Sequence, residues 1–336
     1  MNTNSLKTFA RDARIKLLDQ VGRKMEYVLT HDTAELRGKQ EQIEKLRSEI
    51  KRQGKEQVIE RIAYIWFNRF MALRFMDANE YNSPKVVSPN PGGTIPEILQ
   101  EAKAGHIDAP LQIDRQRVND LLDGKTPAAD SQTDAYKLLL VASCNAMNAI
   151  MPFMFERIAD YTELLIPDDL LSDYSIVTDI RNGMSEEDCK QVEIIGWMYQ
   201  FYISEKKDKV FEDLAKNKKI TPENIPAATQ LFTPNWIVRY LVENSLGRLW
   251  MLNHPNSKLI EKMQYYIKPV EAETDFLKIS APEEVKLCDP ACGSGHMLVY
   301  AFTLLYLIYE EEGYQPTEIP EKILVNNLLV SRLDRR

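Results

Sequence analysis

The sequence predicts a mainly α-helical N-terminal region, residues 1–225, followed by the first part of an α/β domain, residues 226–336. Two observations support this division. Up to about residue 225 apolar residues recur at helical spacing, and no segment shows the pattern of a strand. After residue 285 a short apolar run leads through an acid and two glycines into a long apolar helix, the order of a strand, turn and helix in an α/β sheet. A length of 336 residues agrees with about two domains.

The composition is typical of soluble globular proteins, with 44% hydrophobic residues, 27% charged residues and a net charge of −8. The four cysteines form no C-x-x-C pair and the four histidines are scattered, so we expect neither disulfides nor a metal site. The longest apolar run near the C-terminus, Met297 to Tyr309, is too short to span a bilayer. We therefore expect a cytoplasmic protein without membrane contact.

The first 60 residues predict two helices. Residues 5–30 carry apolar side chains at helical spacing and predict the first helix. Residues 35–60 are almost all charged or Gln with sparse apolar positions, which predicts a long, mostly exposed helix that Gly54 can interrupt.

The next segment, Arg61 to Asp77, is apolar on most faces and predicts a buried helix. Its polar residues Asn68, Arg69 and Arg74 then need partners. We favour an internally paired core helix over a polar seam that faces DNA or another protein.

Six prolines and Gly92-Gly93 make residues 78–130 mainly loop and short helix. Helices are predicted again over residues 135–151 and 186–203. Residues 160–190 carry nine acids against two bases, and residues 206–219 carry six lysines against three acids. We interpret both charge runs as solvated faces rather than binding sites.

The strongest candidate site lies near the C-terminus. A strand over Val285 to Cys288 ends at Asp289, a glycine loop follows, and a helix is predicted from about His296 to Gly313; a further strand is predicted over residues 323–329. Glycines at such a turn let the backbone approach a ligand at the carboxyl edge of a sheet. An acid placed before the glycines suits a cationic or hydroxylated ligand group.

The glycine pattern excludes the two best-known phosphate-binding loops. G-x-G-x-x-G and G-x-x-x-x-G-K are both absent, and no lysine follows the loop to hold a β-phosphate. Cys292 and His296 lie in or beside the loop, where we interpret them as lining residues rather than a nucleophile and its base. An unrelated enzyme with a glycine-loop site for NAD or ATP remains an alternative.

The run Asp289-Pro-Ala-Cys-Gly-Ser-Gly295 resembles the cofactor motif of amino-group DNA methyltransferases, specifically the adenine-N6 branch. The resemblance implies that S-adenosylmethionine is the cofactor. It also implies the residues that bind it, namely Asp289, Pro290, Ala291, Gly293, Ser294 and Gly295, in a Rossmann-like domain.

A second segment, residues 230–242 with Phe232-Thr-Pro234 near its start, resembles the F-T-P segment that precedes this motif in the same enzymes. Thr233 is expected to cap a helix that begins at Pro234, an arrangement that needs no function. The resemblance adds that Thr233 lies beside the methionine carboxylate of the cofactor, which a helix N-terminus suits. Trp236, Tyr240, Trp250 and His254 are interpreted as core residues.

Three longer segments, over residues 66–77, 193–207 and 232–250, resemble the PglX-type adenine-specific methyltransferases of BREX phage-defence systems. The similarity runs collinearly over most of the chain. It implies methylation of double-stranded DNA and interaction with other BREX defence proteins.

The sequence departs from this family in two places. The Asn/Asp/Ser-Pro-Pro-aromatic loop that accepts the amino protons of a flipped adenine is absent, because none of the 17 prolines follows another. Arg332 stands where an acid would bind the cofactor ribose, and Asp334 comes two residues late.

We therefore expect an N-terminal fragment of such an enzyme, with an incomplete Rossmann-like domain and no catalytic residue of its own. The alternative from another functional class is a non-catalytic interaction module derived from a methyltransferase.

Overall fold

The computed structural model describes residues 3–152, 154–156, 161–191, 193–221, 224–229, 233–293 and 295–330. The chain divides into two compact units, Met1–Glu212 and Asp213–Arg336. The predicted limits of the helical region and the α/β domain, 225 and 226, stay a prediction.

The N-terminal unit is built from helices, and its described residues contain no strand. Its helices are α1 (Thr3–Thr30), α2 (Ala34–Arg37), α3 (Gln40–Gln53), α4 (Lys55–Ala78), α5 (Glu97–Lys103), α6 (Arg115–Leu122), α7 (Ser131–Met147), α8 (Tyr161–Leu164), α9 (Ile176–Gly183), α10 (Glu186–Cys189) and α11 (Glu193–Tyr202); α12 (Ser204–Ala215) begins in this unit.

The predicted first helix is confirmed as α1. It buries a stripe of side chains that recur every three or four residues and face α4, α9 and α11. The stripe comprises Leu6, Ala10, Ala13, Leu17, Val21, Met25 and Val28.

The long helix predicted over residues 35–60 is interrupted at Gly54, as expected, but also after Arg37, so the chain forms α2, α3 and the start of α4 there. Gly54 makes the second break. Its φ of +90° is unfavourable for residues with a Cβ, and its N–H donates to the Ile50 carbonyl, 2.9 Å away, to close α3.

Helix α4 is the buried helix predicted over residues 61–77. The Arg74 guanidinium donates to the Met184 carbonyl, 3.0 Å away, and to the Ser88 hydroxyl, 2.9 Å away. Arg69 donates to the Glu156 carbonyl at 2.9 Å. The interpretation of an internally paired core helix is confirmed for these two arginines.

Asp77, near the C-terminus of α4, is a buried carboxylate that organises the loop after it. It accepts hydrogen bonds of 2.8–2.9 Å from the Asn82 amide and from the backbone N–H groups of Val86, Val87 and Ser88. Burial raises the pKa of the Asp77 carboxyl, and these hydrogen bonds oppose the rise. One side chain thus replaces the hydrogen bonds that regular secondary structure would give this segment.

The C-terminal unit holds a parallel β-α-β arrangement. Its remaining elements are α13 (Ile225–Thr229), α14 (Asn235–Val242), a π-helical turn (Glu243–Gly247), α15 (Arg248–Asn253), 3-10 turns at Lys258–Lys262 and Pro282–Glu284, β1 (Leu287–Asp289), α16 (His296–Glu311), α17 (Ile319–Asn326) and β2 (Leu328–Val330). Strand β1 pairs in parallel with β2, with Leu287 opposite Leu328 and Asp289 opposite Val330. Whether this is the beginning of a Rossmann-like domain stays a prediction.

Two strand predictions need correction. The strand predicted over residues 323–329 is largely α17, and β2 begins only at Leu328. The apolar run there has a helical pattern of burial, since Ile319 and Ile323 are buried while Leu324 and Val325 are 63% and 72% exposed. Strand β1 begins two residues later than predicted, at Leu287, where its pairing with β2 starts.

The core of this unit forms around α16. Ala301, Leu304, Leu305 and Ile308 are buried in one cluster with Trp250 of α15. In the part of the chain that the structure describes, no helix has the length and apolar character needed to cross a membrane.

Asn327 fixes the start of β2 against the segment that enters β1. Its side-chain amide donates to the carbonyls of Pro282, at 2.7 Å, and Val285, at 2.8 Å, and its oxygen accepts from the Tyr309 hydroxyl at 3.0 Å. Its own carbonyl accepts from the Leu287 N–H at 2.8 Å. A fully buried side chain therefore sets the register of the two strands.

We expect Asp77→Ala to lower the free energy of unfolding of the N-terminal unit by at least about 3 kcal/mol, because it leaves three backbone N–H groups buried without an acceptor. Urea denaturation measures the loss, and hydrogen exchange should rise first at residues 82–88. Asp12→Ala, which removes an exposed carboxylate from α1, is the control and should change little. Equal exchange in both variants would contradict the role of Asp77.

We expect Asn327→Ala to destabilise the C-terminal unit by roughly 2–4 kcal/mol, since three buried hydrogen bonds are lost. Its neighbour offers a matched control, because the half-buried Asn326 side chain donates, among the described residues, only to the Lys322 carbonyl of its own helix. Hydrogen exchange at residues 285–289 should increase in Asn327→Ala and not in Asn326→Ala. The same response in both variants would show that Asn327 does not fix the strand register.

Candidate functional site

Asp289 is the last residue of β1 and stands at the carboxyl end of the parallel pair. Its Oδ1 accepts a hydrogen bond from the Ala291 N–H, 3.0 Å away, which turns the chain out of the strand. The residue is half-buried, and among the described residues its carboxylate has no cationic partner. This acid can therefore accept a hydrogen bond from a ligand at the edge of the sheet.

The loop after Asp289 depends on two glycines. Gly293 has a φ of +54° and Gly295 a φ of +78°, both in the left-handed region that side chains with a Cβ rarely adopt. The Gly295 N–H donates to the Cys292 carbonyl at 2.8 Å and closes the turn. Pro290, Ala291 and Gly293 are exposed, so the backbone of the loop is accessible, whereas Ser294 lies outside the described residues.

The loop leads directly into the N-terminus of α16. Gly295 occupies the N-cap position without a side-chain cap, and the first turn contains no acid. The first N–H groups of a helix have no partner within it, and together they carry a partial positive charge. The acid on one side of the loop can bind a cationic group, and the helix N-terminus on the other side can bind an anionic group. The loop therefore suits a ligand that carries one group of each charge.

The expected N-cap role of Thr233 is wrong. Helix α14 begins at Asn235 with Pro234 as its N-cap, and the Ile237 and Val238 N–H groups donate to the Pro234 carbonyl. Pro234 has an extended backbone with a ψ of +143°, so the helix starts one residue later than the T-P pattern predicts. Thr233 therefore precedes the cap.

Thr233 nevertheless lies at the glycine loop, because its carbonyl oxygen is 3.0 Å from Nε2 of His296. His296 is the first residue of α16. The structure thus brings Thr233 of the F-T-P segment next to the residue that follows the glycine loop, although 55 residues lie between Thr233 and Asp289 in the sequence.

 The 55 residues between Thr233 and Asp289 include α14, the π-helical turn and α15, and they return the chain to this position.

A buried polar cluster joins α14 to α16 below this contact. The fully buried Glu243 carboxylate accepts from the Tyr300 hydroxyl at 2.6 Å, from Nε of Arg239 at 3.3 Å and from the Tyr265 N–H at 2.5 Å. Burial, together with the hydrogen bond to Glu243, raises the pKa of Tyr300 to about 12, so the phenol remains a neutral donor. The Arg239 guanidinium also lies over the Tyr265 and Tyr300 rings.

Sequence reasoning missed these residues. The spacing of Arg239 and Glu243, four apart on an apolar helix, is a signal that could have indicated a buried ion pair. Tyr300 carries no comparable signal, because its contact spans 57 residues of sequence.

The aromatic residues interpreted as core divide into two groups. Trp250 is fully buried, and the half-buried His254 ring stacks on it at a centroid distance of 3.8 Å. Trp236 and Tyr240 of α14 are 56% and 40% exposed, so the core interpretation is wrong for both. They lie on the opposite side of α14 from the buried Val238 and Val242.

Cys292 has the environment of a lining residue. Burial, and secondarily the nearby Asp289 charge, raises the pKa of its thiol above the ordinary value. A protonated thiol is a poor nucleophile, which disfavours Cys/His chemistry in this loop. Among the described residues, no group of three or more His, Cys, Asp or Glu side chains is arranged to hold a metal ion.

Two curated proteins are similar to the chain over its whole length. The adenine-specific methyltransferase BrxX of Escherichia coli O9:H4 (strain HS) is 39% identical over an alignment of 368 positions. The adenine-specific methyltransferase PglX of Lacticaseibacillus casei (strain Zhang) is 33% identical over 387 positions. No family model matches the chain.

These alignments cover all of the chain but only 30% of BrxX and 32% of PglX. The chain thus spans about a third of the length of these relatives. The resemblance to PglX-type methyltransferases, first indicated by the glycine loop and the F-T-P segment, is confirmed by this similarity. Over its whole length the chain is therefore a homologue of part of the BrxX- and PglX-type adenine-specific methyltransferases.

Proposed function

We propose that the chain is part of an enzyme that transfers a methyl group from S-adenosylmethionine to the N6 amino group of adenine in double-stranded DNA. Its C-terminal unit contributes the cofactor site. The observation that carries this proposal is the junction of the F-T-P segment with the loop between β1 and α16, where Thr233 contacts the first residue of α16.

The residues at this junction fit the cofactor. Asp289 offers a carboxylate at the strand end, and none of the cationic side chains that the structure describes pairs with it, so it can bind a ligand with a cationic or hydroxylated group. Gly293 and Gly295 lack a Cβ, and Pro290 and Ala291 are exposed, so a ligand can approach the backbone of the loop. Ser294 belongs to the same proposed binding set by its place in the motif.

Thr233 completes the proposed set, close to the methionine carboxylate of the cofactor. Its segment precedes α14, whose N-terminus favours an anion. When bound, S-adenosylmethionine supplies a methyl group activated by a positively charged sulfur. The task of this chain's residues is to bind and orient that cofactor.

The transfer step needs groups that these 336 residues do not include. Adenine N6 is a weak nucleophile, and the family's Pro-Pro-aromatic loop accepts its protons; the chain has no Pro-Pro pair. We therefore assign no catalytic residue here. The proposal extends to a BREX phage-defence system, with other defence proteins as partners, in the cytoplasm.

The missing loop also favours a second candidate, an interaction module that derives from a methyltransferase and has no enzymatic role. Cofactor affinity separates the two, because an interaction module has no need to bind S-adenosylmethionine.

We expect the 336-residue chain to bind S-adenosylmethionine in isothermal titration calorimetry. Asp289→Asn should weaken binding by roughly 10- to 100-fold, because a hydrogen bond to a charged acceptor is lost while the shape is kept. Asp275→Asn, which alters an exposed acid of the same unit, is the matched control and should bind like the wild type. A wild-type chain that is folded and does not bind the cofactor would favour the interaction module.

We also expect no methyl transfer by this chain alone. Incubation with tritiated S-adenosylmethionine and duplex DNA should leave the DNA unlabelled, because the proton-accepting loop is missing. Incorporation of label above that of heat-denatured protein would refute the assignment of catalysis to residues outside the 336.

A further inference from the structure

A polar contact between described residues joins the two motif segments of the C-terminal unit. Nε2 of His296 lies 3.0 Å from the carbonyl oxygen of Thr233, and both residues are half-buried. Thr233 immediately precedes the N-cap of α14, and His296 immediately follows Gly295 at the start of α16. The contact therefore connects the two ends that face the proposed cofactor site.

The partners in this contact determine which ring nitrogen of His296 carries a hydrogen. A carbonyl oxygen only accepts hydrogen bonds, so Nε2 of His296 must carry a hydrogen. The imidazole is therefore either the Nε2–H tautomer or the doubly protonated form. In both forms it donates to Thr233, so the contact does not require a charged histidine.

The Thr233 carbonyl is not used by the helix that follows it. The first N–H groups of α14 that bond to a preceding carbonyl, those of Ile237 and Val238, use Pro234. Pro234 itself has no N–H. Within the described residues, His296 thus supplies the hydrogen bond that fixes the carbonyl of Thr233.

The helices on either side are held separately. His296 and Tyr300 lie four residues apart on one face of α16, and Tyr300 bonds to the buried Glu243, which also accepts from Arg239 of α14. Because this cluster fixes α14 against α16, loss of the contact between His296 and Thr233 frees Thr233 and leaves the packing of the two helices in place. A contact with this limited effect positions residues rather than stabilising the core.

We propose that His296 is a positioning residue of the cofactor site, which holds Thr233 against the glycine loop before the cofactor arrives. This inference rests on the proposed function. A segment ordered in the free protein adds no ordering cost to binding, so the contact increases affinity without touching the ligand. The gain in affinity should come from the part of the ligand near Thr233, which is the methionine moiety.

The test compares two substitutions of this histidine in the 336-residue chain. His296→Gln keeps a side-chain N–H donor at similar reach, whereas His296→Leu removes it. We expect His296→Leu to raise the Kd for S-adenosylmethionine about three- to tenfold, the effect of one net hydrogen bond. His296→Gln should stay within about twofold of the wild type. The control His106→Leu, on an exposed histidine of the N-terminal unit, should leave the Kd unchanged.

A second ligand separates positioning from general damage. 5′-Methylthioadenosine keeps the nucleoside and sulfur of the cofactor but lacks its methionine carboxylate. The Kd for this ligand should be the same in His296→Leu and the wild type. Equal weakening of both ligands, or a His296→Gln variant as weak as His296→Leu, would overturn the proposal.

A measurement on the ligand-free chain tests the contact between His296 and Thr233 separately from cofactor binding. With nitrogen-15-labelled histidine, the resonances that disappear in His296→Gln identify His296 among the four histidines. They should show a protonated Nε2 across the pH range in which the protein is folded; a neutral Nδ1–H tautomer would overturn the contact. A wild-type chain with protonated Nε2 that binds no S-adenosylmethionine would overturn the cofactor site and, with it, this role of His296.

Discussion

The buried carboxylate of Glu243 is the constraint on which the geometry of the C-terminal unit depends. An ionised carboxylate without contact to water is costly unless hydrogen bonds and opposite charge compensate for it. Its donors come from α14, from α16 and from the backbone at Tyr265, so they compensate only when these three segments are in place. Thr233 precedes α14 and the glycine loop precedes α16, so the packing of these two helices also determines how Thr233 and the loop lie relative to each other.

The helices and the strand–loop–helix order were predictable because their signals are local. The buried stripe of α1 consists of residues three or four apart in the sequence. Gly54 interrupts the next helical segment because glycine readily adopts the positive φ that is found there. The loop from Asp289 to Gly295 was predictable for the same reason, since an acid and two glycines at fixed spacing describe a turn.

The errors have physical causes that are equally specific. Thr233 has the residue type of an N-cap, but the ψ of Pro234 decides where α14 starts. Ile323 and Val325 have strand propensity, yet the burial of Ile319 and Ile323 favours a helix. The contact of His296 with Thr233 and that of Tyr300 with Glu243 join residues more than 50 positions apart, and no local pattern encodes such pairs.

The π-helical turn at Glu243–Gly247 has a consequence for which changes of length this protein tolerates. The residues that face the core on either side of it, Val238, Val242, Leu246 and Trp250, recur at intervals of four. In an uninterrupted α-helix three such intervals would rotate the buried face by about 120°, because each turn holds only 3.6 residues. The π-helical turn holds more residues than an α-helical turn, so it compensates for this rotation and keeps the four residues on one face. Removal of one residue between positions 243 and 247 would therefore rotate Trp250 out of phase with α14, so homologous sequences should conserve the length of this segment more strictly than its composition.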